Sequence, residues 1–249
     1  MKARIRHALL ACLAFAVGTT RAEVIELGFA TGGQNGLPQG WSEQRLSKAK
    51  PVRYALETDD GRAVVRAESA DAASSLLRRL DLPGAGRLSW RWKVSHVLTK
   101  ADLRHKSGDD FAARVYLTFD APETGFSLAD RLGLSLARLT YDPTLPSAAL
   151  CYVWDNHTPV GTVVPSAYTD RVRMIVLESG GAHAGEWREE SRDVAADYRA
   201  AFGQPVPRLT GIALMSDTDQ TGDSVTAWYA DFRFQPQSES ASQTPRSSR

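Results

Sequence analysis

Two stretches of this chain alternate apolar and polar residues with a period of two, the pattern of a strand that buries one face. In the first, Leu88, Trp90, Trp92 and Val94 fall on one side, with Ser89, Arg91 and Lys93 on the other. In the second, Phe111, Ala113, Val115, Leu117 and Phe119 oppose Ala112, Arg114, Tyr116 and Thr118. A third runs over 225–234, with Trp228, Ala230, Phe232 and Phe234 set against Tyr229, Asp231 and Arg233. Shorter strands are expected at 24–27, 53–56, 62–67, 150–154, 172–178 and 209–216. Between two of these, Asp59-Asp60-Gly61 supplies the positive φ angles of a tight hairpin turn.

The period changes at Leu128, Leu132, Leu136 and Leu139, whose three- and four-residue spacing predicts an amphipathic helix over 128–139. A second helix is expected from Asp193, which caps its first turn, to Gly203, which ends it, with Val194, Tyr198 and Phe202 on one stripe. Regularly spaced strands with few helices predict a mainly β fold. The expected architecture is one antiparallel, jelly-roll-like β-sandwich over residues 23–234, with one or two short helices.

The ends change the picture. A basic stretch over 2–7, an apolar run from Ala8 to Val17 and small or polar residues ending at Ala22 form the pattern of a cleavable secretory signal. The run is about half the length of a bilayer-spanning helix. The expectation is a signal peptide over 1–22, cleavage near Ala22, and a periplasmic or secreted protein without a transmembrane anchor. Residues 235–249, rich in Ser, Gln, Pro and Arg, are expected to be disordered. With Cys12 inside the signal, Cys151 is the only cysteine of the mature chain, so its core must hold by packing alone. The net charge of +1, with both signs interspersed, provides no field to attract nucleic acid.

Candidate chemistry lies in three places. Asp217-Thr218-Asp219-Gln220-Thr221-Gly222-Asp223 could converge the oxygens of Asp217, Asp219 and Asp223 on calcium, although a polar hairpin loop explains the same residues. An EF-hand is excluded, because the position that needs a bidentate glutamate is Trp228. Asp109 and Asp110 precede the strand carrying Arg114. That arrangement suits either acid/base work or a simple ion pair at a strand start. Arg91, Lys93, Arg114 and Tyr116 would form one basic, hydrogen-bonding sheet face if their strands are neighbours, with Trp154 and Tyr152 as its rim. No Gly-x-Ser-x-Gly elbow is present, Cys151 reads as a small buried hydrophobe, and the histidines lack the spacing of a zinc pair.

Five segments together resemble the bacterial DUF3047 family: Leu88-Ser-Trp-Arg-Trp-Lys-Val94, Gly108-Asp-Asp-Phe-Ala-Ala-Arg-Val-Tyr116, Tyr152-Val-Trp154, Arg192-Asp-Val-Ala-Ala-Asp-Tyr198 with Phe202-Gly203, and Ser216-Asp-Thr-Asp-Gln-Thr-Gly222. The resemblance implies an exported domain without an assigned activity and brings no catalytic residues. The 128–139 stretch looks like an addition to the family pattern, and the closing Trp228–Phe234 is similar to the final strand of carbohydrate-binding jelly rolls. The leading expectation is therefore a non-catalytic exported module for a glycan or other cell-envelope ligand, bound through Arg91, Asp110, Arg114, Tyr116 and Trp154. The alternative is an envelope glycan hydrolase or lyase using Asp109 or Asp110 with Arg114. A third use of the chain is as a structural partner, through the leucines of the 128–139 helix.

Overall fold

The computed structural model describes residues 23–46, 48–140 and 146–237. The expected signal peptide, nearly all of the expected tail and the side chains of Leu136 and Leu139 lie outside the described residues. The strands are β1 Ile25–Glu26, β2 Ser42–Arg45, β3 Arg53–Asp59, β4 Arg62–Ala70, β5 Ser74–Leu82, β6 Gly86–Val94, β7 Phe111–Phe119, β8 Ala148–Asp155, β9 Val163–Pro165, β10 Val172–Ser179, β11 Arg188–Asp193, β12 Leu209–Asp217 and β13 Ser224–Pro236. The helices are α1 Leu128–Thr140 and α2 Val194–Phe202.

Two packed sheets form the expected jelly-roll-like sandwich. One has the order β11-β6-β13-β4-β3, with β1 beside β13, and the other β2-β5-β12-β7-β8-β10-β9. Pairing is antiparallel except between β8 and β10, which run parallel. The β3–β4 hairpin turns on Asp60 and Gly61, with φ of 50° and 73°, as its sequence requires. Asp193 caps α2 by accepting from the Ala196 N–H, and Gly203 ends it at φ 71°, a left-handed angle that suits glycine.

Leu88, Trp90, Trp92 and Val94 are all buried between the sheets, with Trp90 in contact with Trp92, Tyr152 and Phe232. Each large side chain buried this way contributes about 1.5–3 kcal/mol relative to exposure. The seven-stranded sheet is covered on its far side too. There Leu103, Phe111, Cys151, Val153, Met174 and Val176 form a second, smaller core, with Tyr116, Val164 and Val172 packed against it. Double coverage explains why every residue of β8 is buried and why that strand reads as an apolar run up to its last residue, Asp155.

Two β-bulges overturn the strict alternation read from the sequence. The β12–β7 register shifts between Met215 and Asp217. Phe111 consequently lies in the smaller core, whereas Ala112 and Ala113 both join the main one. The β13–β6 register shifts between Ala230 and Arg233, and Asp231 takes φ 56°. An inserted residue inverts the parity of everything before it. Tyr229 therefore points into the core with Phe232 and Phe234, and Trp228, expected beside them, points outward. β13 also continues to Pro236, pairing Gln235 with Arg87 and Pro236 with Gly86.

Candidate functional site

The acidic positions singled out in the sequence meet inside the protein. Asp110 is fully buried at the start of β7, and its oxygens accept from the backbone N–H groups of Gln220 (3.3 Å) and Thr221 (2.6 Å). Asp217, 1% exposed, accepts from Phe111 N (3.2 Å) and Arg114 Nε (2.9 Å), and its other oxygen pairs with Arg114 Nη2. Arg114 also donates to the Asp109 carbonyl (2.9 Å) and lies 3.4 Å from its carboxylate, with the guanidinium 4.5 Å above the centre of the Phe111 ring. Tyr229 reaches across from the other sheet, accepting from Arg114 N and donating to Met215 O. Buried charges need such partners, because desolvation otherwise costs several kcal/mol per ion.

Asp110, Asp217 and Asp219 bring carboxylate oxygens within 4.8 Å of one another, close enough to hold a metal ion. Asp223 is not in this group. It accepts from Ser224 N at the start of β13, and Asp110 stands where Asp223 was expected. Desolvation and the neighbouring Asp110 raise the Asp219 carboxyl above its ordinary pKa.

The expected basic face does not form. Arg91 and Lys93 lie on β6 of one sheet, whereas Arg114 and Tyr116 lie on β7 of the other, with Arg114 only 3% exposed. Trp154 and Tyr152 are core residues. The Trp154 indole donates to Gly180 O and the Tyr152 hydroxyl to Asp197, so neither ring is a rim. Asp109 and Asp110 are both buried: Asp110 is held by the Gln220 and Thr221 N–H groups, whereas Asp109 meets Arg114 through one oxygen and its other oxygen is buried without a hydrogen-bond partner among the described residues. Burial pushes the Cys151 thiol up to about 12, which leaves no thiolate at neutral pH.

What the sequence missed is the outer face of the six-stranded sheet. The bulge at Asp231 turns Trp228 outward between Arg66 and Lys93, its register partners on β4 and β13's other neighbour β6. Trp187, just before β11, comes to the same place. The Lys93 ammonium lies 4.8 Å from the centre of the Trp187 ring and 4.7 Å from that of Trp228. Arg91 lies 4.9 Å from the Trp187 ring and bonds Asp231 at 2.7 Å. The Trp187 indole N–H donates to Asp59 (2.9 Å), which is the leading reason that carboxyl sits below its usual pKa. Both tryptophans remain partly exposed. Of the residues proposed for the basic sheet face, Arg91 and Lys93 belong here, whereas Arg114 and Tyr116 do not. No sequence signal marked Trp187, since it falls in no strand or helix, and the bulge hid Trp228.

The family model described as protein of unknown function (DUF3047) matches residues 39–233. No curated protein matches the chain by sequence. Among solved structures, the K1 cleaved adhesin domain of Lys-gingipain from Porphyromonas gingivalis is 12% identical, with a TM-score of 0.38 over 86% of this chain and 99% of that one. A family 29 carbohydrate-binding module complexed with cellulohexaose is also 12% identical, with a TM-score of 0.35 over 86% and 91%. A family 12 glycoside hydrolase is 10% identical, with a TM-score of 0.42 over 86% and 98%.

Proposed function

The chain belongs to the DUF3047 family, and from that premise we propose that it is an exported, non-catalytic module that binds a glycan across the outer face of its six-stranded sheet. The observation that carries this reading is the pair of partly exposed tryptophans, Trp187 and Trp228, bracketing Lys93 among hydrogen-bonding side chains. The C–H faces of a pyranose stack on an indole ring, and its hydroxyls need donors and acceptors held in fixed positions. Strand-borne Arg91, Lys93 and Asp231 meet the second need with little left to order on binding.

Affinity electrophoresis through gels containing polysaccharides tests the proposal. Wild type is expected to be retarded, and Trp187→Ala and Trp228→Ala each to lose most of the retardation at unchanged Tm. Retardation that survives both substitutions would move the ligand off this face. Export is checked separately by expressing the full chain and sequencing the N-terminus of the product, which is expected to begin at Glu23.

The approach of Asp110, Asp217 and Asp219 supports a second proposal, that calcium binds there. Asp219 is the member with most to contribute, since Asp110 and Asp217 are already engaged by backbone N–H groups and Arg114. A ligand bound only to the folded state raises its Tm. Calcium is expected to raise the Tm of EDTA-treated protein and to lose that effect in Asp219→Asn. An identical Tm with calcium and with EDTA removes the ion from the account.

A further inference from the structure

Resting on the reading that the Trp187–Trp228 face binds a glycan, we infer that its ligand is an uncharged, hydroxyl-rich polysaccharide and not an acidic one. The reason is the charge pairing of that face. Its cations around the two indoles are Arg53, Arg62, Arg66, Arg91 and Lys93, and each already has a carboxylate. Arg91 and Arg62 share Asp231, at 2.7 and 2.9 Å. Lys93 pairs with Asp59 at 3.4 Å. Arg66 pairs with Glu57 at 2.7 Å and also with Glu68. Arg53 shares Glu68 with Arg66, at 3.6 Å, and Glu189 stands opposite Arg91 on β11. Five cations therefore meet five carboxylates, and no positive charge is left over for a uronate or a sulfate.

An anionic polymer approaching Arg91 or Lys93 would lie against Asp231 or Asp59, and displacing either would leave a carboxylate without its partner. Juxtaposed like charges of this kind are a means of excluding wrong ligands. A hydroxyl meets no such conflict, because it both donates and accepts. An ionised carboxylate can accept at several lone pairs, and a guanidinium offers five N–H donors, so each pair keeps capacity after its own contact is made. Adjacent sugar hydroxyls can thus donate to Asp231 or Asp59 while accepting from Arg91 or Lys93. The side chains are also already confined, with only 18% of Arg91 and 19% of Lys93 exposed. Little conformational freedom remains to be lost on binding.

The test is affinity electrophoresis of the full chain in two sets of gels, one containing neutral hydroxyethylcellulose or galactomannan and the other alginate or polygalacturonate, each at low and high salt. Retardation is expected in neutral polymer only, changing less than about twofold between about 50 and 500 mM NaCl, because no net counter-charge is involved. The double variant Asp59→Asn/Asp231→Asn is expected to lose neutral binding and to gain salt-sensitive binding to alginate. Asparagine tolerates the positive φ of position 231, so this variant keeps the bulge. Binding to the acidic polymers that equals or exceeds neutral binding in the wild type overturns the inference while leaving the glycan reading in place. Retardation by neither class overturns both.

Discussion

Arg114 shows how much a single residue's meaning depends on what covers it. On an open strand face a guanidinium beside two aspartates is a ligand contact. Under the smaller core it is a structural tie, joining the start of β7 through Asp109 to the end of β12 through Asp217. Arg114→Met would remove the cation and leave two buried carboxylates facing each other, a loss of about 3–5 kcal/mol. Urea denaturation is expected to show that loss, and Arg114→Met combined with Asp109→Asn and Asp217→Asn to restore part of it. If the single variant costs less than about 1 kcal/mol, well below a broken buried pair, the tie is not structural. The sequence placed Asp110 and Arg114 next to each other but could not show that both were inside. Burial of β7 on both faces is set by Leu103, Met174 and Val176, which come from distant parts of the chain.

At the scale of elements, β11 carries an unusual load for an edge strand. Its residues Arg188, Glu190 and Arg192 alternate toward the sandwich, where Arg188 meets Glu178 (2.7 Å), Glu190 accepts from the Trp92 indole (3.2 Å) and Arg192 pairs with Asp197. Burial, and then the neighbouring Glu178, push the Glu190 carboxyl up to about 7. The folded protein therefore holds this proton more tightly than the unfolded chain does. The stabilisation is complete below pH of about 4.5, the ordinary value, and is lost as pH rises through about 7. Thermal melts from pH 5 to 8 are expected to show a fall in Tm of roughly 2–5 °C attributable to this group, abolished in Glu190→Gln. A wild-type profile parallel to that of Glu190→Gln would show the proton is not held. A smaller effect belongs to the other end of this strand, where Asp193→Ala uncaps α2 and should cost about 1 kcal/mol. Elements of this kind were the most legible part of the sequence. The Asp60-Gly61 hairpin, both helices and the inward row from Leu88 to Val94 follow from local chemistry alone. What stayed hidden were the bulges. A period-two pattern contains no mark of an extra residue when the neighbours on both sides are apolar, as Tyr229, Ala230 and Phe232 are. The same shift that corrected Phe234's neighbours delivered Trp228 to the surface.

The whole molecule is organised around its last two strands. β12 lies between β5 and β7 in one sheet, and β13 between β4 and β6 in the other. Neither sheet is continuous until the C-terminal part of the chain arrives, and the main core draws on both sheets at once. Folding must therefore close long loops before the central pairings reward it, which makes a sandwich slow compared with a helical bundle. Refolding after dilution from denaturant is expected on the millisecond-to-second scale. A chain ending at Gly203 would retain eleven strands but lack the centre of each sheet. It is expected to give no cooperative melt, and the complete chain a single one seen alike by calorimetry, far-UV and near-UV circular dichroism. Reducing agent should leave that melt unchanged, because the buried Cys151 is a free thiol. Two separated transitions would mean that the sheets unfold as independent units. The tryptophan face on one sheet would then report nothing about the carboxylate cluster in the other, and the glycan and calcium proposals would have to be tested as properties of separate modules.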